Sequence, residues 1–390
     1  MGKELLNWEN GRWIGQTLEV ENGVCAVPGK DMDGYPKDLP YTDEVKAETD
    51  HLYAQVADFI PEFEWPAYAP LVHAINTIKK KKNAVVLAHN YMTPDIFALI
   101  GDYVGDSLGL AIEATKTDAD MIIQGGVHFM AETSKILCPE KRVFIPSMRA
   151  GCSLASSITG ADIQLIKQRY PGIPVVTYVN TSADVKAESD ICCTSSNAVA
   201  IVEHIAAEWG VDKVIMLPDE FLAKNVARQT DIEIIAWHGR CEVHARFSAQ
   251  DVRDMRAANP GVVVLAHPEC PPEVVEESDF TGSTKAMSDY VEDNSPGKVI
   301  LLTECSMSDN VAMANPTVDF VRPCNLCPHM KRITLENLYE CLRDETNEVL
   351  VPEPMREKAF DAVMKMINVK FDKEKGYFDP NAPDKDVRVI

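Results

Sequence analysis

Three cysteines carry the strongest chemical signal in this chain. Cys152 in RAGCSLA, Cys241 in WHGRCEVH and Cys327 in RPCNLCPHM follow one another at intervals of 89 and 86 residues. Thiolate sulfur is a soft ligand, and three convergent thiolates suit a 4Fe-4S cluster, which takes one protein ligand per iron. The fourth iron is then open. An open iron is a Lewis acid able to take a substrate hydroxyl, carboxylate or carbonyl oxygen, which serves elimination and condensation rather than electron transfer. Ligation by four cysteines would argue the reverse.

The last of these cysteines belongs to CNLC, Cys324 to Cys327, a lone CxxC that also suits a zinc half-site or a redox pair. No second CxxC is present to complete a zinc ribbon, and the thioredoxin context of a single βαβ unit is missing. The chain has eleven cysteines in all. Cys192 and Cys193 sit side by side at an expected strand end, and Cys25, Cys138, Cys270, Cys305 and Cys341 lack any ligand context, which fits thiols buried as small hydrophobes.

The elements that must position the three cysteines repeat with them. Short β-branched runs recur at Asn83 to Tyr91 (NAVVLAHNY), Pro174 to Ser182 (PVVTYVNTS) and Gly261 to Cys270 (GVVVLAHPEC), each ending in polar residues where a buried strand would emerge. A strand-to-helix turn rich in small and hydroxyl residues follows in each copy: GGVHFMAET from Gly125, CCTSSNAVA from Cys192 and FTGSTKAMS from Phe280. Another apolar strand comes next, KRVFIPSM from Lys141, DKVIMLPDEF from Asp212 and GKVILLTECS from Gly297, and each copy then closes on its cysteine. This alternation predicts an α/β protein of three homologous αβα three-layer units with parallel sheets around a pseudo-threefold axis, ligand sites lying beyond the carboxyl ends of the strands. The units span 83–170, 171–258 and 259–334. An N-terminal extension, 1–82, precedes them and a C-terminal helical tail, 335–390, follows. Leu71, Val72, Ile75 and Ile78 form one helical stripe before the first unit, and Phe360, Val363, Met364 and Ile367 form another after Pro354.

Bulk properties narrow the function. Acidic residues outnumber basic ones 60 to 38, and the net charge of -22 opposes phosphate backbones, so no nucleic-acid partner is expected. An anionic substrate would need local donors and helix N-termini to overcome that field. The first 25 residues contain no continuous apolar segment, and no later run approaches the roughly 18 apolar residues of a membrane span. The expectation is a cytoplasmic protein with no membrane partner.

The motifs AHNY at Ala88, GDSLGLA at Gly105, GGVHFMAETSKIL at Gly125, GCSLA at Gly151, TYVNTSADVKA at Thr177 and CTSSNA at Cys193 resemble those of the quinolinate synthase family. LPDEFL at Leu217, WHGRCEVH at Trp237, AHPEC at Ala266, GSTKAM at Gly282 and CPHM at Cys327 follow in family order, so the resemblance covers roughly residues 83 to 331. It implies three αβα units about a pseudo-threefold axis and an enzyme of de novo NAD biosynthesis. That enzyme joins iminoaspartate to dihydroxyacetone phosphate, releasing quinolinate, phosphate and water, in functional coupling with an enzyme that produces iminoaspartate. The implied ligands of the 4Fe-4S cluster are Cys152, Cys241 and Cys327, with Cys324 a near neighbour. The implied substrate residues are one pair per repeat, His89 with Tyr91, Tyr178 with Asn180 and His267 with Glu269, joined by the hydroxyls Ser107, Ser195 and Thr284. Among these His89, Tyr91, His267 and Glu269 are the candidates for moving protons. His128, Glu132 and Lys135 lie in a family motif too, Lys135 as a source of positive charge for the cavity or all three as solvated or capping residues. His244 has no role from chemistry alone, although it stands three residues after Cys241.

Some members of the family carry CxxCxxC at the last motif, where this chain has Val321 in the first position, which removes the extra pair that thiol-disulfide regulation would use. Hydroxymethylbutenyl diphosphate reductases share the three-unit plan and three cysteines, but the motifs disfavour them. A non-catalytic iron sensor or a zinc scaffold would not need three intact polar strand-end pairs.

Overall fold

The structure is a computed structural model and describes residues 7–9, 12–14, 38–323, 325–370 and 378–390. Cys25 and Cys324 lie outside the described residues. Near the N-terminus β1 (Asn7–Glu9) and β2 (Arg12–Ile14) pair as an antiparallel hairpin.

The remaining strands form three parallel sheets. The first holds β3 (Ala84–His89), β4 (Tyr103–Gly105), β5 (Met121–Gly125) and β6 (Arg142–Phe144). In the second are β7 (Val175–Tyr178), β8 (Ile191–Cys193), β9 (Lys213–Leu217) and β10 (Glu233–Ala236). The third comprises β11 (Val263–Ala266), β12 (Phe280–Thr281), β13 (Lys298–Leu302) and β14 (Asp319–Val321). Within every unit the strands lie in the same order, second, first, third, fourth, with helices on both faces, so the three-unit α/β architecture expected from the repeats is present. Burial on both faces explains why the first strands read as β-branched runs without polar alternation.

Each first strand is launched by a residue with positive φ: Asn83 at 48°, and Gly172 at 81° and Gly261 at 78° in Pro-Gly turns. The turn reverses the chain sharply from the preceding helix into the sheet, a conformation Gly reaches without steric cost and Asn tolerates.

The cysteine loops are also built to one pattern. Three residues after Cys152, Cys241 and Cys327 a single 3-10 turn begins, at Ala155, His244 and Met330. Seven residues after each cysteine comes a helix N-cap, Thr159, Ser248 or Thr334, closed by a capping box with Asp162, Asp251 or Asn337. The helix that follows packs on the next sheet. Ile163 and Ile166 lie on Val175, Ile215 and Leu217, and Val252 lies on Val264, Ile300 and Leu302. Leu335, Leu338 and Leu342 return to the core of the first sheet beside helix Trp65–Lys82. Each cysteine loop is thereby held between two sheets, and the third closes the cycle.

Helix Trp65–Lys82 buries Val72, Ile75 and Ile78 completely, with Leu71 at the edge of the stripe. Its Lys79 is buried as well, Nζ donating to Asp102 at 2.9 Å and to the carbonyl of Ile100 at 2.6 Å. In the tail, helix Met355–Asn368 packs on β8 and on helix Ala183–Glu188, burying Val363 and Met366. Not all of the tail is helical: β15 (Arg388–Val389) adds a parallel edge strand beside β10.

Candidate active site

A strand order of second, first, third, fourth places a switch point at the carboxyl end of each first strand, because the chain leaves it in opposite directions to its two neighbours. The strand ends of all three units border one cavity. His89 ends β3 and Tyr91 lies just beyond it, Tyr178 ends β7 and Asn180 lies just beyond it, and His267 and Glu269 follow β11, all six lining the cavity. The second strands deliver Ser107, Ser195 and Thr284, and the loops after the fourth strands deliver Cys152, Cys241 and Cys327. The structure brings all twelve sequence-derived residues into this one space.

Local folding explains the hydroxyl positions. Ser107 opens helix Ser107–Lys116, whose cap Asp106 accepts from the Gly109 amide at 2.8 Å. Ser195 lies in the turn closed by the Thr194 amide donating to Asn197 Oδ1 at 2.7 Å, just before helix Ala198–Trp209. Thr284 is the first residue of helix Thr284–Asn294 and receives Asn90 Nδ2 at 3.0 Å, a link between the third and first units. Helix N-termini carry unpaired amides and the positive end of the dipole, so these turns suit anionic groups.

The cysteines fit the expected cluster by donor chemistry. Each comes from a different unit, each is half-buried at the cavity, and none forms a disulfide. Burial pushes the Cys152 thiol up to about 12 and raises Cys241 and Cys327 also. Such thiols hold their protons until a cation replaces them, which is how a metal site couples to protonation. Among the described residues no fourth cysteine lines the cavity, so a 4Fe-4S cluster held there would have one iron without a cysteine from these residues. Cys241 Sγ, His244 and Glu269 also offer ligand atoms within 4.8 Å of one another.

Tight packing fixes the Cys241 loop. A Cβ on Gly239 would stand 2.3 Å from the carbonyl oxygen of Pro218 and 2.6 Å from Ser157 Oγ, so no side chain fits there. Trp237 Nε1 donates to the Ser157 carbonyl at 3.1 Å, tying the loop to the first unit. The buried Glu220 carboxylate holds His238 at 2.8 Å and Arg240 at 3.1 Å, on the approach to Cys241.

At the cavity floor, Glu269 is 3 % exposed. Its Oε1 accepts from the Tyr178 hydroxyl at 2.5 Å and from Asn180 Nδ2 at 3.4 Å, and its Oε2 lies 2.8 Å from His244 Nδ1. Burial works against its ionisation, but the His244 and His267 rings and the hydrogen bonds from His244 and Tyr178 outweigh it and hold the carboxyl well below the usual range. Nearby Asp219 moves the other way, because burial and the Glu269 charge both push it up. The network continues from His244 Nε2 to Thr303 Oγ1 at 3.0 Å and from Thr303 Oγ1 to the Tyr91 hydroxyl at 2.5 Å.

His89 and His267 are held alike in their two units. The backbone amide two residues on donates to the ring Nδ1, from Tyr91 at 3.1 Å and from Glu269 at 3.3 Å. With Nδ1 accepting, the neutral ring carries its proton on Nε2. Burial depresses His89 to about 4 and His267 to about 3, so both rings are neutral at physiological pH.

Other expectations fare differently. Lys135 Nζ is spent on the carbonyls of Pro139 and Lys141, at 3.0 and 2.8 Å, and does not line the cavity. Glu132 caps a neighbouring helix by accepting from the Ala183 amide at 3.1 Å, and His128 stands 3.8 Å from Glu132. For Glu132 the capping alternative describes the geometry. Sequence reasoning passed over His244 and Thr303. The first sits where the 3-10 turn begins after Cys241, and that equivalence was the available signal.

The family model described as Quinolinate synthetase A protein matches residues 73–368. A quinolinate synthase of Caulobacter vibrioides (strain NA1000 / CB15N) is 62% identical over 329 residues, covering 84% of this chain and 90% of that protein. One from Sinorhizobium medicae (strain WSM419) is 59% identical over 333 residues, 85% of this chain and 92% of its own length. Another, from Agrobacterium fabrum, is 59% identical over 318 residues, 82% and 91% of the two chains. A solved D-2-hydroxyisocaproate dehydrogenase aligns at 13% identity with a TM-score of 0.17, over 70% of this chain and 89% of that one.

Proposed function

The chain belongs to the quinolinate synthetase A family, and on that footing we propose that it is the quinolinate synthase of NAD biosynthesis, condensing iminoaspartate with dihydroxyacetone phosphate to quinolinate, phosphate and water. The observation that carries this reading is the meeting, in one cavity, of three cysteines and three polar strand-end pairs, one of each from every unit. Cys152, Cys241 and Cys327 would hold a 4Fe-4S cluster, which supplies a Lewis-acidic iron for a substrate oxygen when bound.

The chain's own residues supply the rest. Both substrates are anions, and the neutral His89 and His267 rings offer Nε2 protons to carboxylate or phosphate oxygens without altering the charge of the site. Ser107, Ser195 and Thr284, at helix starts or the turn before one, add further donors. Glu269 would exchange the protons that leave a carbon next to an imine or carbonyl and that a departing hydroxyl takes up. Tyr178 and Asn180 aim that carboxylate, and the Thr303 contact fixes the Tyr91 phenol at the opposite side of the network. Burial holds both phenols well above their ordinary range, so they stay neutral and serve as hydrogen-bonding hydroxyls and not as phenolates.

The test is anaerobic reconstitution with iron and sulfide, then assay for quinolinate from dihydroxyacetone phosphate and freshly generated iminoaspartate. Near four irons and four sulfides per chain with quinolinate formed supports the reading. One zinc per chain, or turnover of an allylic diphosphate with dithionite in place of quinolinate formation, overturns it.

A further inference from the structure

The residues flanking the three cysteines touch one another. Ser153, next to Cys152, donates through Oγ to the Arg240 carbonyl at 3.1 Å and accepts from the Glu242 amide at 3.1 Å. These are the backbone groups on either side of Cys241, so one hydroxyl from the first loop brackets the ligand of the second. Glu242 extends its carboxylate to His329 Nε2, 2.9 Å away and two residues past Cys327. The His329 ring returns to the first loop: a Cβ built on Gly151 would lie 3.6 Å from its Nδ1, so the ring sits over the backbone just before Cys152. Gly151, Ser153, Glu242 and His329 all line the rim of the cavity.

Such a closed cycle is not required by the fold. The capped helices and the packing at Gly239 already fix where each loop leaves its own sheet. What the cycle adds is direct attachment between loops belonging to different units. A cluster on three thiolates is lost when any loop moves away, and loops that are tied together must move together. Pre-organising ligands through neighbouring hydrogen bonds is a general source of metal affinity.

We propose that Ser153, Glu242 and His329 are positioning residues forming a clasp that locks the three cysteine loops to one another and sets how firmly they retain the cluster. The inference rests on the cluster assignment under Proposed function. Its action is through geometry, so Ser153→Thr, which keeps a hydroxyl, and Glu242→Gln, which keeps an acceptor for His329, should retain it.

The experiment uses the cluster-loaded full-length chain under anaerobic conditions and follows loss of visible absorbance after addition of an iron chelator. Ser153→Ala and Glu242→Ala should lose iron roughly 10-fold faster than wild type or more, the scale of one or two lost hydrogen bonds. Ser153→Thr and Glu242→Gln should stay within about 2-fold. Amide hydrogen exchange on the apoprotein gives a second readout, with faster exchange expected in all three loops of Glu242→Ala. If both alanine variants release iron and exchange at wild-type rates, the clasp is refuted while the cluster assignment stands. If the wild type itself takes up no iron and sulfide, the cluster assignment falls and the clasp falls with it.

Discussion

Replacing Glu269 by Gln separates proton transfer from assembly of the site. The carboxylate accepts at both oxygens: Tyr178 and Asn180 at Oε1, and His244 at Oε2. An amide of the same shape has one acceptor and one donor end, so it can satisfy one side and must present N–H to the other. With the amide nitrogen toward His244, the ring has to carry its proton on Nε2 and the Thr303 hydroxyl has to turn, both of which are rotations or proton moves that cost little space. The loss is then one buried hydrogen bond to a charged acceptor, about 1.5–3 kcal/mol, which leaves folding and the cysteine loops intact. Turnover is another matter, because no ionisable proton carrier remains at this position, and the expected fall is roughly 100-fold or more. Iron and sulfide content, a thermal melt and quinolinate formation should be measured on the same anaerobic preparation. Wild-type turnover with a full cluster would refute the reasoning, reduce Glu269 to a hydrogen-bond acceptor and move the proton-carrying role to Tyr91.

Serine at Cys152, Cys241 or Cys327 should each prevent stable cluster assembly, since a hydroxyl is a poor substitute for thiolate on iron, whereas Cys192→Ser and Cys138→Ser should load normally; iron content and visible absorbance decide. Air should bleach the spectrum and abolish turnover together, with both restored by iron and sulfide, and activity persisting after complete iron loss would exclude the cluster as the catalyst. Gly239→Ala should lower the melting temperature and cluster loading together, because the new Cβ overlaps the Pro218 carbonyl, at a cost of about 1–3 kcal/mol. Acid should destabilise the apoprotein through His89 and His267. Their folded values of about 4 and about 3 lie below the unfolded value of 6.5, so their contribution is complete above pH ~6.5 and is lost as pH falls toward 4 and 3. His267→Gln should flatten that part of a stability-against-pH curve, and an unchanged curve would show that the ring is not buried neutral.

The first strands of the repeat were legible because parallel strands covered on both faces leave a strong mark in β3, β7 and β11, with polar pairs at their ends. The elements between were misaligned in the first unit, where GGVHFMAET follows the third strand and KRVFIPSM holds the fourth, while their counterparts follow second strands and form third strands. The cysteines were legible by their recurrence. What the sequence hid were residues whose roles arise from contacts between units. Thr303 follows the third strand of its unit, where the other two have Gly126 and Pro218, so no equivalence singled it out. His244 stands only 25 residues from Glu269 in sequence, but in a different unit, and its meeting with that carboxylate depends on how two sheets face each other. Lys135 misled for the opposite reason, since a lysine in a family motif reads as charge for a cavity, while its own helix end and the neighbouring loop offered carbonyls nearer to hand. At the C-terminus, a strand of two residues is too short to show any period, which is why β15 was hidden in a segment read as helical.

The same geometry answers how a chain of net charge -22 can attract substrates that are themselves anions. Surface charge is screened within about 8–10 Å at physiological ionic strength, so the cavity responds mainly to its own walls. Each carboxyl in those walls already has partners: Glu269 accepts from Tyr178 and Asn180 and faces His244, Asp106 accepts from the Gly109 amide, and Glu242 faces His329. Neutral histidine N–H groups, hydroxyls and turns at or before helix starts make up much of the remaining polar lining, supplied in parallel by the units. A single doubly wound sheet has one switch point and offers its ligand one such set. Three sheets closed in a cycle offer three sets around the same space, so donors for several carboxylate and phosphate oxygens and three thiolates come together without any unit having to bury more than one or two of them.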